Sequence, residues 1–191
     1  MLRDELESYL ADLLSVDDFN DYCPNGLQVE GGDKINKLIC GVTASQALID
    51  DAIRKKADAI LVHHGYFWKG EDPAIRHLKK QRIQSLLENN ISLFAYHLPL
   101  DAHSTFGNNV QLANLLGFQV EKALEKHGKH DLGLVCRLES EMTIEQLSNV
   151  VNAQLGREPT LLGPKNKRIQ RVALCTGAAQ SMFLGNYRCD A

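Results

Sequence analysis

The sequence has few of the features that mark secreted, membrane or nucleic-acid-binding proteins. Its 191 residues include five cysteines, none in a C-x-x-C pair, which favours reduced thiols over a disulfide framework. The formal net charge is −3, so no basic field favours nucleic acid as a partner. No apolar run approaches the length of a membrane span. Residues 1–7 are charged and lack the apolar segment of a signal peptide, so we expect a cytoplasmic protein.

Common cofactor and nucleophile motifs are also missing. The sequence has no G-x-x-x-x-G-K-[ST] loop, no G-x-G-x-x-G after a predicted strand and no G-x-S-x-G elbow. These absences argue against a P-loop nucleotide hydrolase, a dinucleotide-binding domain and a serine hydrolase of the α/β type. The hydrophobic content is 44%, which is enough to bury a sizeable core.

Strand and helix patterns alternate over the first part of the chain and predict an α/β fold. Apolar runs predict buried strands at 35–42, 59–62 and 91–96. The intervening segments have helical periodicity or caps, and the predicted helices are 2–14, 45–56, 73–87 and 108–117. This alternation predicts a largely parallel sheet with helices on both faces.

A charged segment at 121–130 predicts a linker, so we place a metal-binding α/β domain at 1–124 and a second, smaller unit at 125–191. In the second unit, a capping-box pattern that starts at Thr143 predicts a helix that ends at Gly156. Apolar runs predict strands at 132–138, 159–162 and 169–176. The second unit is therefore predicted to be β-α-β-β.

Two predicted strands end in candidate metal ligands. His63 and His64 directly follow one strand, and His97 and Asp101 follow the next. In α/β sheets, ligands bind outside the carboxyl ends of the parallel strands. Imidazole and carboxylate ligands without a nearby thiolate favour Fe, Mn, Zn or Co over a structural cysteine-type zinc site.

The arrangement of the two adjacent histidines has two interpretations. Neighbouring residues of a regular strand point to opposite faces of the sheet. Either the strand ends at Val62 and both rings converge, or the rings diverge and each serves one ion of a dinuclear centre. Pro99 predicts an extended Leu98, which places Asp101 just past the strand end. For His97 we expect a catalytic supporting role, as a donor that orients a ligand or as a proton relay.

Several motifs, in order, resemble the NIF-three-like family of dinuclear-metal proteins, the bacterial YbgI type labelled GTP cyclohydrolase type 2 homologues. The strongest is Ile-Leu-Val-His-His-Gly-Tyr-Phe-Trp-Lys-Gly at 60–70, and the others lie at 21–29, 41–45, 95–101, 107–110 and 172–177. The resemblance implies that His63, His64 and Asp101 are ligands of two divalent metal ions per subunit. It also implies a ring-shaped homo-oligomer, with a hexamer as one form, and hydrolysis of GTP or a related nucleotide.

The family's site also includes a His-x-x-x-Glu motif near the C-terminus, and the present sequence has no such pair. We therefore expect a truncated or frame-shifted end, or a fragment. The preferred functional interpretation is a divalent-metal-binding protein that resembles dinuclear metal-dependent hydrolases. The alternatives are a non-catalytic, metal-stabilised oligomeric binding module and an inactive truncated remnant.

Overall fold

In the computed structural model the chain folds as two units, Met1–Leu100 and Asp101–Ala191. The structure describes residues 1–127, 130–184 and 188–191. Gly128 and Lys129, which belong to the predicted linker, lie outside the described residues.

The first unit contains a four-stranded sheet in which three neighbouring strands are parallel. Its strands are β1 (Gly26–Val29), β2 (Leu38–Thr43), β3 (Ala59–His64) and β4 (Ser92–Ala95), in the spatial order β1-β4-β3-β2. β2, β3 and β4 are parallel, and β1 is antiparallel to β4. The predicted α/β class with a largely parallel sheet is therefore confirmed, although β1 was not predicted from the sequence.

Helices cover both faces of this sheet, as predicted. The three long helices of the unit are α1 (Arg3–Leu14), α2 (Gln46–Arg54) and α3 (His77–Glu88). Ile49 of α2 and Leu86 of α3 pack with Ile60 and Val62 of β3 in one cluster. Apolar residues of α1 pack with Ala59 in a second cluster. Because β3 is buried on both sides, its sequence is a continuous apolar run rather than an alternating one.

The start of α3 differs from the prediction. The helix begins at His77, four residues after Pro73. The Asp72 carboxylate accepts a hydrogen bond from the Ala74 N–H (2.9 Å) and also pairs with Arg76. A side chain that satisfies nearby donors in this way stabilises a turn at the expense of the helix.

The second unit contains a three-stranded antiparallel sheet in the order β5-β6-β7. Its strands are β5 (Gln119–His127), β6 (His130–Thr143) and β7 (Arg168–Leu174). A single helical turn, α4 (Leu98–Asp101), ends at the first residue of this unit, and α5 (Asn108–Leu115) and α6 (Ile144–Leu155) follow. The predicted cap of α6 is confirmed, since Thr143 and Gln146 form a reciprocal capping box.

Two predictions for the second unit are wrong. The described part of the expected linker at 121–130 is strand, since residues of β5 pair with β6 up to His127, and Glu121 of β5 also forms an ion pair with Arg171 of β7 at 2.7 Å. Residues 159–162 are not a strand, and Leu162 is 87% exposed. In the structure this unit begins at residue 101, since α5 packs on the antiparallel sheet through Ala113.

Among the described residues, no helix is both long and apolar enough to cross a membrane.

Candidate metal centre

The two adjacent histidines are the last residues of β3 and extend beyond the end of β4. The pairing of β3 with β4 ends at Val62 and Ala95, whereas the pairing of β3 with β2 continues to His64 and Thr43. The edge of the sheet is therefore stepped, and the chain that leaves β4 passes beside the histidines. This step places His97, two residues after β4, next to them.

Three imidazoles meet at this edge. The ring centroids of His63 and His64 are 4.4 Å apart, and those of His97 lie 5.0 Å and 5.7 Å from them, respectively. One potential ligand atom from each ring lies within 4.8 Å of the other two. The strand does not end at Val62, yet both rings converge, so neither sequence interpretation describes the geometry fully. Three imidazoles this close form a donor set that suits a transition-metal dication.

The main chain directly after β4 fixes the orientation of His63. The His63 Nδ1 lies 3.0 Å from the carbonyl oxygen of Tyr96. A carbonyl oxygen only accepts hydrogen bonds, so Nδ1 carries the proton in this contact. In the neutral ring, the lone pair that a metal takes is then on Nε2.

A buried carboxylate fixes His97 in the same way. His97 Nδ1 lies 2.8 Å from Oδ1 of Asp21, whose side chain is only 2% exposed. An ionised carboxylate accepts and does not donate, so the neutral His97 ring also carries its proton on Nδ1. Its Nε2 is then the atom with ligand character. In metal-binding histidines, the ring nitrogen that does not bind the metal commonly donates its hydrogen to a carboxylate.

Asp21 was not among the site residues predicted from the sequence. Each of its oxygens accepts two hydrogen bonds: Oδ1 from His97 and the Tyr22 N–H, and Oδ2 from the Leu98 N–H and Asn25 Nδ2. Burial by itself raises the pKa of Asp21, but the hydrogen bonds outweigh burial and hold this pKa below its ordinary value. The only sequence signal was its place at the start of the 21–29 motif.

A second group of possible ligands, Asp21, Cys23 and His97, is less suited to a metal. The four hydrogen bonds to Asp21 already occupy the lone pairs of its carboxylate. Burial, with a contribution from the charge of Asp21, raises the pKa of the Cys23 thiol to about 12. The three-histidine group is therefore the better candidate.

The loop after β3 packs closely around the histidines. Gly65 is required there, because a Cβ at this position would lie 2.6 Å from the Cβ of Ala95. Gln28 Oε1 accepts a hydrogen bond from the Tyr66 N–H (2.6 Å) and anchors the loop to β1. The Trp68 ring stands edge-on to the His97 ring at 4.9 Å between centroids, and forms one wall of the site.

Asp101 is the first residue of the second unit, where its Oδ1 accepts a hydrogen bond from Asn108 Nδ2 (2.7 Å). Neither group of close potential ligands includes it, and its role as a ligand stays a prediction. The prediction of an extended Leu98 is wrong. Leu98 begins α4, with its N–H bound to Asp21, and Pro99 lies in the first turn, where a missing N–H costs nothing.

Comparison with known proteins bears on this site. A family model described as Duf34/NIF3 (NGG1p interacting factor 3) matches residues 1–191. The Salmonella typhimurium protein named GTP cyclohydrolase 1 type 2 homolog is 49% identical over 188 residues, which cover 96% of this chain and 72% of that protein. The Escherichia coli K12 protein of the same name is 48% identical over 186 residues, with the same shares covered.

Two solved structures have the same fold at substantial identity. The structure of protein ybgI, described as of unknown function, matches with a TM-score of 0.88 at 47% identity, over 95% of this chain and 72% of that one. The protein TTHA1606 from Thermus thermophilus matches with a TM-score of 0.81 at 32% identity, over 96% of this chain and 74% of that one. The full-length family match and these relatives show that the chain belongs to the Duf34/NIF3 family.

Proposed function

We propose that the chain binds a divalent transition-metal ion through His63, His64 and His97, and that this site serves a hydrolytic reaction. The observation that carries the proposal is the convergence of three imidazoles within 4.8 Å, two of them with Nδ1 held by an oxygen acceptor. Such anchoring reduces the freedom that each ring must lose when it binds an ion. A bound dication would supply Lewis-acid chemistry, polarising a carbonyl or phosphoryl oxygen or a water molecule.

The chain's own residues would orient and shield the reacting groups. Tyr96 and Asp21 hold two of the rings, and Trp68 flanks His97. A nucleotide is the first substrate class to test, since the relatives from Salmonella typhimurium and Escherichia coli carry the name GTP cyclohydrolase 1 type 2 homolog. Two expectations from the sequence stay predictions beside this proposal: Asp101 as a further ligand and two ions per subunit. The proton-relay role expected for His97 is an alternative to the ligand role proposed here.

Metal titration tests the binding proposal. Chelator-treated protein is titrated with Co²⁺, followed by absorption, and with Zn²⁺, followed by calorimetry. A His63→Ala, His64→Ala double variant is titrated in the same way. The matched control is His77→Asn, which removes an exposed histidine at the start of α3 whose φ of +51° asparagine tolerates. We expect saturable binding by the wild type and the control, and none by the double variant. Equal binding by all three would contradict the proposal, and the stoichiometry distinguishes one ion from two.

A turnover screen tests the hydrolytic role. Metal-loaded protein is assayed with GTP, other nucleotides and phosphoesters, and activity that disappears in the double variant supports an enzyme. Stoichiometric metal without turnover of any of these favours the non-catalytic binding module. The homo-oligomeric ring implied by the family resemblance also stays a prediction. Size-exclusion chromatography with light scattering measures the molar mass and therefore the number of subunits.

A further inference from the structure

Asp21 and His97 are 76 residues apart in the chain, and their side chains are joined by a 2.8 Å hydrogen bond. The 21–25 segment also holds the main chain of this histidine, since the His97 N–H donates to Asn25 Oδ1 at 2.7 Å. One short loop therefore fixes both the backbone and the ring of a single residue of the three-histidine group. A change at position 21 would reach that group through His97.

The hydrogen bonds of Asp21 impose a condition on whatever residue occupies the position. Its two oxygens face four donors, from Tyr22, Asn25, His97 and Leu98. Only a carboxylate offers acceptors on both sides. An asparagine in its place presents an NH₂ group either to the Leu98 side or to His97, and in the second case the imidazole must accept on Nδ1.

We propose that Asp21 is a positioning residue of the metal site: it holds His97 in the tautomer with the proton on Nδ1 and thereby directs Nε2 to the ion. The inference rests on the proposed metal site. Asp21 does not touch the ion, because its lone pairs are used, and it acts through His97 alone. A carboxylate on the Nδ1 proton also makes Nε2 a stronger donor to a metal.

The first test measures the tautomer in metal-free protein. Long-range ¹H–¹⁵N correlation spectra of the histidine rings, recorded above the histidine titration range, report which nitrogen of His97 carries the proton. We expect the Nδ1–H form in the wild type and a shift toward Nε2–H in Asp21→Ala, which offers His97 no acceptor at this position. An Nε2–H form in the wild type, or an unchanged tautomer in a folded Asp21→Ala variant, would overturn the proposal. If the variant does not fold, the wild-type spectrum decides.

The second test measures Zn²⁺ affinity in a double-mutant cycle of Asp21→Asn and His97→Gln. Loss of a residue that is hydrogen-bonded to a metal ligand typically costs about 10- to 100-fold in metal affinity. We expect a loss of this size from Asp21→Asn in the wild type and no further loss in the His97→Gln background. An equal loss in both backgrounds would assign Asp21 a purely structural role and overturn the proposal.

Asp58→Asn is the matched control, because the Asp58 carboxylate also accepts two backbone N–H groups, from Asn36 and Lys37, but lies at the opposite end of β3. It should leave both the His97 tautomer and the Zn²⁺ affinity unchanged. The two proposals fail separately: absence of metal binding by the wild type refutes the proposed function, whereas the tautomer spectrum tests Asp21 without any metal.

Discussion

His63 Nδ1 lies 3.0 Å from the carbonyl oxygen of Tyr96, so that the chain just past β4 holds a ring that β3 delivers. This contact separates two properties of the histidine. Its Nδ1 anchors the ring to the protein, and its Nε2 has the character of a ligand.

Asparagine at position 63 should separate these properties experimentally. The amide NH₂ of His63→Asn can still donate to the Tyr96 carbonyl, but nothing replaces Nε2. We expect the metal affinity to fall strongly while the free energy of unfolding changes by no more than about 1 kcal/mol, the net value of one hydrogen bond. Calorimetric titration and urea unfolding measure the two quantities. Retained affinity would show that His63 is not a ligand.

Metal binding should stabilise the folded protein through the histidines. A ligand at roughly 100 times its dissociation constant adds about 2.7 kcal/mol to the free energy of unfolding when it binds only the native state. We therefore expect Zn²⁺ to raise the Tm of the wild type, and EDTA to reverse the increase. In the His63→Ala, His64→Ala variant the Tm should not respond. The same increase in both proteins would place the stabilising ion elsewhere.

Two neighbouring leucines of α3 give a test of the fold itself. Leu86 is fully buried in the cluster that includes Ile60 and Val62 of β3, whereas Leu87 is 56% exposed. Leu86→Ala should reduce the free energy of unfolding by about 2–5 kcal/mol, through lost burial and the cavity left behind. Leu87→Ala should change it by no more than about 0.5 kcal/mol. Urea denaturation of both variants checks the prediction, and similar values for the two would contradict the packing of α3.

The cysteines should differ in their reactivity toward iodoacetamide. The thiolate is the nucleophile, so a raised pKa slows alkylation at mildly alkaline pH. Burial raises the pKa of Cys23 to about 12 and that of Cys136 to about 11, whereas the Cys40 side chain is exposed. We expect peptide mass spectrometry to find Cys40 modified in native protein, and Cys23 and Cys136 only after unfolding. Rapid native labelling of Cys23 would contradict its environment in the structure.

The parallel sheet and its histidine edge could be predicted from the sequence, because both follow from local signals. Apolar runs mark β3 and β4, and histidines at the end of each run are the ones that meet at the sheet edge. Ser45 likewise caps α2 as its position predicts, with its side chain accepting from the Leu48 N–H. Each of these features depends on residues that are close together in the chain.

The features that were missed depend on contacts between distant residues. The importance of Asp21 comes from a hydrogen bond to a residue 76 positions away, for which the sequence offers no spacing rule. Glu121 of the expected linker is a strand residue whose side chain binds Arg171, 50 residues later in the chain. The approach of His97 to His63 and His64 depends on β4 ending before β3, which is a property of register rather than of either strand.

Anomalous scattering from crystals grown with Zn²⁺ would decide whether the three histidines bind a metal, because it locates the ion without reference to activity. We predict a peak about 2.0–2.1 Å from Nε2 of His63, Nε2 of His97 and one ring nitrogen of His64, the usual zinc–imidazole distance. A peak bound instead by Cys23 and Asp21, or no peak near the three histidines at saturating Zn²⁺, would contradict the proposed site.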